Sequence, residues 1–247
     1  MGRLNGKVAI ITGGNSGIGF ATARKFHEEG ASVVISARNK QLLDSAAKEL
    51  GEDILAIQGD ITQVNDVQNV VNQVVAQFGR IDIVFANAGL GEFTDFPTAD
   101  GNHYDEIFDV NVKGVVSVIQ TAMPYLKSGA SIVINGSISG LTGFQRLHAY
   151  SASKGAVCAL TRSLAAELAG SNIRVNAISP GLIDTPIHVK MGVFGKDIRE
   201  NAEKSIPLKR IGTSQEVANV VSFLASDEAS YMTGTNIVVD GGLTEIQ

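Results

Sequence analysis

Short runs of apolar, mostly β-branched residues recur along the chain, separated by longer amphipathic stretches, and this alternation limits the fold more than any other feature. Seven runs read as strands: Val8 to Thr12, Val33 to Ser36, Ile54 to Ile57, Ile81 to Phe85, Ile132 to Ile134, Ile173 to Ile178 and Ile237 to Val239. They are nearly continuous rather than alternating, as strands buried on both faces are, and parallel strands need the crossovers that the intervening stretches supply. Apolar residues three or four apart place helices over roughly 17–29, 40–50, 63–79, 102–127, 150–170 and 214–226. The expected class is α/β, a doubly wound sheet of seven mainly parallel strands flanked by helices.

No repeat, low-complexity tract or flexible linker breaks the alternation, so residues 1–247 read as one domain. Periodicity weakens only from Leu182 to Pro207, a stretch holding Pro186, Gly192 and Gly195. A long irregular insertion in a compact domain is usually functional, and this one reads as a substrate lid at about 182–207.

Composition excludes several functions. Twenty-five acidic against twenty basic residues give a net charge of -5, and with no run of Lys or Arg the chain lacks the electrostatic footprint of a nucleic-acid binder. The single thiol, Cys158, closes no internal disulfide, which fits a reducing cytoplasm. Gly6-Lys7 leads at once into the short run from Val8, so no secretion signal is expected, and Gly6 stands where a myristoylation motif wants Ser or Thr. No eighteen apolar residues run together, so no membrane span is expected.

Thr12-Gly13-Gly14-Asn15-Ser16-Gly17-Ile18-Gly19 follows the first strand directly and opens the first helix. Glycines permit positive φ and close approach of backbone to a ligand, while a helix N-terminus presents free N–H groups and partial positive charge to a pyrophosphate. The stretch reads as the phosphate cradle of a Rossmann-type fold; Phe20 after Gly19 departs from the Gly-Lys-Ser/Thr ending of a nucleotide-hydrolysing loop. The second strand ends at Ala37-Arg38-Asn39 with no carboxylate. An acid there would bind the ribose 2′-hydroxyl of NAD, whereas Arg38 suits a 2′-phosphate, which favours NADP over NAD.

Tyr150 and Lys154 are four apart at the start of a helical stretch, which sets phenol and ammonium on one face, one turn from each other. The expectation is that the positive charge lowers the phenol from its ordinary value near about 10 and makes it a usable acid and base.

The glycine turn, this pair and their order resemble the short-chain dehydrogenase/reductase family over essentially the whole chain. The family's turn matches Thr12, Gly13, Gly17 and Gly19, with Asn15, Ser16 and Ile18 between them, and its adenine-contacting acid matches Asp60, followed by Ile61. Its strand-end motif is Asn87-Ala88-Gly89, its helix asparagine Asn111 and its serine Ser137. Pro180, Gly181, Ile183 and Thr185 are similar to the segment that holds the nicotinamide carboxamide. Ala86 stands where the family often has a first asparagine, a departure that removes a possible hydrogen bond but no reacting group.

The resemblance implies a bound NADP(H), with NAD(H) possible, and a carbonyl reductase or alcohol dehydrogenase in which Tyr150 exchanges the proton. Ser137 would hydrogen-bond the same oxygen, Lys154 would hold the ribose and Asn111 a water that links Lys154 to solvent. Phe93, Leu141, Phe144, Leu147, Met191, Val193 and Phe194 would wall a pocket for a hydrophobic or aromatic carbonyl compound. A 3-oxoacyl-(acyl carrier protein) reductase is the rival within the family, and Lys127 alone between Ala122 and Ser131 offers little basic surface for that acidic partner. A dinucleotide-binding regulator without turnover is the rival of another class. A hydrolase is disfavoured because no serine lies in a Gly-x-Ser-x-Gly elbow, and His27, His103, His148 and His188 lack metal-ligand spacing, so no metal is expected. The resemblance implies a homotetramer or homodimer.

Overall fold

The apolar runs become one parallel sheet. The computed structural model describes residues 2–186 and 196–246. In chain order the elements are β1 (Val8–Thr12), α1 (Gly17–Glu28), β2 (Ser32–Ala37), α2 (Lys40–Leu50), β3 (Leu55–Gln58), α3 (Val64–Phe78), β4 (Ile81–Ala86), α4 (Gly101–Phe108), α5 (Val115–Ala122), β5 (Leu126–Asn135), α6 (His148–Leu168), β6 (Arg174–Pro180), β7 (Ile183–Asp184), α7 (Lys196–Ser205), β8 (Gly212–Thr213), α8 (Ser214–Ala225) and β9 (Asn236–Val239). The main sheet has seven strands in the order β3-β2-β1-β4-β5-β6-β9, and every pairing in it is parallel. Short β7 and β8 pair separately.

The two faces of the sheet bury different side chains. On one, Val8, Ile10, Val84, Ile132 and Ile134 pack with Val67, Val70, Val74, Val118, Ile119 and Val157 from α3, α5 and α6. On the other, Ala9, Ile11, Val33, Ile35 and Phe85 pack with Phe26, Leu43, Val217, Val221 and Leu224 from α1, α2 and α8. Burial on both faces explains why β1 and β4 contain no exposed position and read as unbroken apolar runs.

Two sequence expectations change. The helix expected over 102–127 is α4 and α5 joined by a π-helical turn at Asp109–Gly114, and it ends in a 3-10 turn at Met123–Tyr125. Pro124 lies in that segment, and without an N–H to donate to the preceding turn it helps to end the helix there. β5 therefore begins at Leu126, six residues before the apolar run at Ile132, and its exposed early residues disguise it. Leu126 pairs with Ile81, and the register shifts before regular pairing resumes at Ser131. In the expected lid, β7 and the helix α7 replace irregular chain on either side of 187–195. Charged residues dominate α7, which leaves too few apolar positions to show a period. Among the described residues no helix is long and apolar enough to cross a membrane.

Candidate active site

A parallel sheet brings the C-terminal ends of its strands to one edge. The chain runs outward from β1 to β3 and then restarts at β4 on the other side of β1, so a crevice opens where the direction reverses. A cleft of about 980 Å³ lies there. Gly13 and Gly17 line it with φ of 65° and 55°, values an L side chain rarely adopts. Asn15, Ser16 and Ile18 complete the turn on the cleft wall. Ser16 caps α1 without a side-chain hydrogen bond, and the first turn holds no acid, so its N–H groups suit an anionic ligand.

Thr12 and Gly19 brace the wall of the cleft from behind. Thr12 Oγ1 accepts from the amides of Asn87 at 3.0 Å and Ala88 at 3.1 Å. Asn87 Nδ2 returns bonds to the carbonyls of Thr12 at 2.9 Å and Gly13 at 3.2 Å, locking the ends of β1 and β4 together. A Cβ on Gly19 would meet Gly13 O at 2.2 Å, so this glycine serves the close packing of α1 on the turn. Asn87, Ala88 and Gly89 line the cleft.

At the end of β2, Arg38 and Asn39 border the cleft with Asp60 and Ile61. The Arg38 side chain is 68% exposed and its Nη1 lies 3.8 Å from Asp60 Oδ2, a loose pair that leaves the guanidinium accessible. Asn39 caps α2 by accepting from Leu42 N at 2.9 Å. Asp60 Oδ1 receives the amide and hydroxyl of Thr62 at 2.9 and 2.8 Å.

Ser137, Tyr150 and Lys154 lie beneath the other half of the cleft. Ala149, Ser153, Val157, Thr161, Ala165 and Leu168 form the buried stripe of α6, and Lys154 is carried inward beside it. Gly140 makes that packing possible, since a Cβ there would meet Gly155 N at 2.7 Å. Ser137 stands two residues past the end of β5, buried, with Oγ accepting from Ser139 N at 3.1 Å. Ser137, Tyr150 and Lys154 all face the cleft.

The expected acidity of the phenol is not found in the protein alone. Burial raises Tyr150 above the ordinary phenol value, and the nearby Ser137 hydroxyl offsets only part of that rise. Lys154 is not among the groups that lower it, and its Nζ donates to Asn135 O at 2.7 Å. Burial also pushes the Lys154 ammonium down to about 8, against a smaller upward effect from nearby Cys158. Burial thus shifts each group toward its neutral form, although Lys154 still holds its proton at neutral pH, so the pair there is a phenol beside an ammonium rather than a phenolate beside one.

Asn111 occupies the π turn between α4 and α5 and is fully buried. Its Oδ1 accepts from Leu90 N at 2.8 Å, and its Nδ2 donates to Leu90 O at 2.8 Å and Ser153 Oγ at 2.9 Å. Ser153 in turn donates to Tyr150 O at 2.7 Å. Both amide protons are spent, so Asn111 is a clamp between the β4 loop and α6, and only its oxygen has capacity left for a water. A Cβ built on Gly89 would lie 3.4 Å from Asn111 Oδ1 and 3.5 Å from Lys154 Nζ, which marks Gly89 as their common neighbour.

Phe93, Phe144, Leu147, Pro180, Gly181, Ile183 and Thr185 line the cleft. Leu141 is outside it, 48% exposed on the turn after Ser137. Met191, Val193 and Phe194 lie outside the described residues. Sequence reasoning missed Ser36, Gly59 and Asn135, although each lies at or just past the C-terminal end of a strand at the same sheet edge. It also missed that the fold brings His103 and His148 together, with ring centroids 5.9 Å apart. Among the described residues no three His, Cys, Asp or Glu side chains group as a metal site.

Comparison with known proteins defines the class. Residues 13–244 match the family model described as enoyl-(acyl carrier protein) reductase. The chain belongs to the short-chain dehydrogenase/reductase family of oxidoreductases. It is 43% identical to oxidoreductase asL5 of Sarocladium schorii, covering 99% of this chain and 98% of that protein. It is 42% identical to the 3-oxoacyl-(acyl-carrier-protein) reductase FabG of Thermotoga maritima, covering 98% and 99%. A crystal structure of the 3-ketoacyl-(acyl-carrier-protein) reductase of Brucella melitensis, complexed with NADH, superposes with a TM-score of 0.91 at 34% identity, covering 98% and 99% of the two chains.

Proposed function

We propose that the protein is an NADP(H)-dependent oxidoreductase that interconverts a ketone or aldehyde and the corresponding alcohol. The observation that carries this reading is the meeting of Ser137, Tyr150 and Lys154 on the wall of the cleft that the glycine turn opens. The residues fit a dinucleotide: two positive-φ glycines ahead of a helix N-terminus for the pyrophosphate, and an accessible Arg38 for a 2′-phosphate. Asp60 and Ile61 would border the adenine, while Pro180, Gly181, Ile183 and Thr185 would hold the carboxamide end. When bound, the nicotinamide supplies or accepts the hydride.

The chain's own residues manage the proton and the geometry. A partly buried, protonated Tyr150 donates to the carbonyl oxygen as it gains negative charge, and Ser137 hydrogen-bonds that oxygen. Lys154, tied to Asn135 O by one proton, has two more with which to meet a ribose hydroxyl. Asn111 keeps the Leu90 loop and α6 in register. Phe93 and Leu147, with the exposed Phe144 at the rim, give the substrate end apolar walls that suit a hydrophobic or aromatic carbonyl compound.

The Thermotoga maritima and Brucella melitensis relatives favour a second reading, reduction of a 3-oxoacyl thioester. The charge argument against it does not hold, because Lys127 lies near the start of β5 while the cleft is at the strand's other end. Steady-state oxidation of NADPH and NADH, followed at the reduced nicotinamide band, separates the readings. The expected result is faster turnover with NADPH and with aromatic or aliphatic ketones. Preference for an acyl-thioester ketone would establish the second reading, and tight NADPH binding without turnover of any carbonyl would make the protein a regulator.

A further inference from the structure

The loop that carries Phe93 into the cleft is fastened on both sides of that residue. Before it, Asn111 holds both main-chain groups of Leu90. After it, a second set of bonds holds Thr94, made by groups with no part in proton transfer. His148 Nε2 lies 3.0 Å from Thr94 O, and His148 Nδ1 lies 2.9 Å from the Tyr104 hydroxyl. A carbonyl can only accept, so Nε2 carries the proton, and in the neutral ring Nδ1 accepts from Tyr104. Thr94 N donates to Arg146 O at 2.9 Å, and Arg146 Nε pairs with Asp95 at 2.8 Å. Phe96 covers the imidazole edge-on at 5.3 Å.

We propose that His148, its tautomer set by Tyr104, is a positioning residue that fixes the Phe93 wall relative to Tyr150 and so selects substrates by size. The inference rests on the carbonyl-reductase reading of the cleft. Its ground is the placement of the fastening. One end is the residue after Phe93, and the other is two residues before the proton donor on the same helix. Tyr104 adds α4, which leads into the π turn that holds Asn111, so the two clamps on the loop share one support. Loosening the Thr94 clamp frees the wall while the Ser137, Tyr150 and Lys154 contacts remain.

The test compares wild type, His148→Ala, His148→Gln and Tyr104→Phe on a small aliphatic and a bulky aromatic ketone, with NADPH affinity and Tm measured separately. In His148→Ala, kcat/KM for the aromatic ketone is expected to fall about tenfold further than for the small one, chiefly through KM. Glutamine can donate to Thr94 O and accept from Tyr104, so His148→Gln should recover most of the selectivity, and Tyr104→Phe should be intermediate. Adding Tyr104→Phe to His148→Ala should cost little more. Equal losses on both ketones, losses that follow Tm alone, or a glutamine variant as impaired as alanine would overturn the proposal. Wild type inert toward every carbonyl would refute the underlying reading instead. Amide exchange over residues 91–96 tests the clamp itself: faster exchange in His148→Ala supports it, and unchanged exchange removes it.

Discussion

The Lys154 ammonium reaches past the Tyr150 phenol to the main-chain carbonyl of Asn135, 2.7 Å away, and lies 5.6 Å from the centre of the tyrosine ring. The lysine thus ties α6 to the end of β5, and burial rather than a neighbouring charge governs the tyrosine. A phenol held protonated is the form needed to give a proton to a ketone. Removing a proton from an alcohol requires the form that burial disfavours.

The two directions of reaction should therefore answer oppositely to pH. Because burial raises Tyr150, carbonyl reduction should persist through neutral pH and fall only as the phenol ionises, while alcohol oxidation should climb with pH. Profiles of kcat/KM in both directions check this. Oxidation that peaks below pH 7 would contradict it.

Stability carries a separate signature. Folded Lys154 gives up its proton near about 8, whereas the unfolded chain holds it to 10.5, so between these values the unfolded state binds the extra proton. The cost of burying this charge is full below about 8 and relieved as pH rises toward 10.5. Tyr150 acts in the other sense at the alkaline end, where the folded state retains a proton the unfolded state loses. Urea unfolding of wild type and Lys154→Met between pH 7 and 10 isolates the effect, since the variant should lack the lysine's rise. Parallel curves would contradict the assignment.

Asn111→Ala should destabilise the protein by about 2 kcal/mol, because it leaves the Leu90 amide and carbonyl without their partner inside the fold. Turnover should fall as well, since the same side chain binds Ser153 and holds α6 to the β4 loop. Denaturant titration and kcat measure the two effects. Wild-type stability in this variant would show that the clamp has no energetic role.

Removing the guanidinium tests the cofactor preference. Arg38→Ala should weaken NADPH by roughly 10-fold to 100-fold, the loss of a charge-assisted phosphate contact, and leave NADH nearly unchanged. Equal weakening of both dinucleotides would assign Arg38 a structural role through its pair with Asp60.

Much of this was legible in the chain because parallel strands buried on both faces need unbroken apolar runs, which made β1, β4 and β6 readable. The glycine turn was legible by its place between strand and helix. Local pattern failed where distant packing decides. The π turn hides within a good helical period, and only Asn111, an awkward residue inside a helix, hinted at it. The start of β5 is polar and exposed, and the sparse apolar positions of α7 conceal a helix.

Spacing placed Tyr150 and Lys154 on one helix but could not say where the ammonium points. That direction depends on Asn135 O, nineteen residues earlier and on another strand. Likewise, Thr12 and Gly19 belong to the family pattern, yet they serve the wall of the cleft rather than its surface. The meeting of His148, Tyr104 and Thr94 joins three separated segments, and no sequence period announces it.

The proton donor is tested most directly by comparing wild type and Tyr150→Phe, with NADPH binding measured by calorimetry and its oxidation followed with a reducible ketone. Phenylalanine keeps the ring and removes the hydroxyl that faces the cleft beside Ser137. NADPH should bind both proteins with similar affinity, while turnover falls by at least about 10² to 10⁴ in the variant. Near-normal turnover by Tyr150→Phe would show that the proton comes from elsewhere.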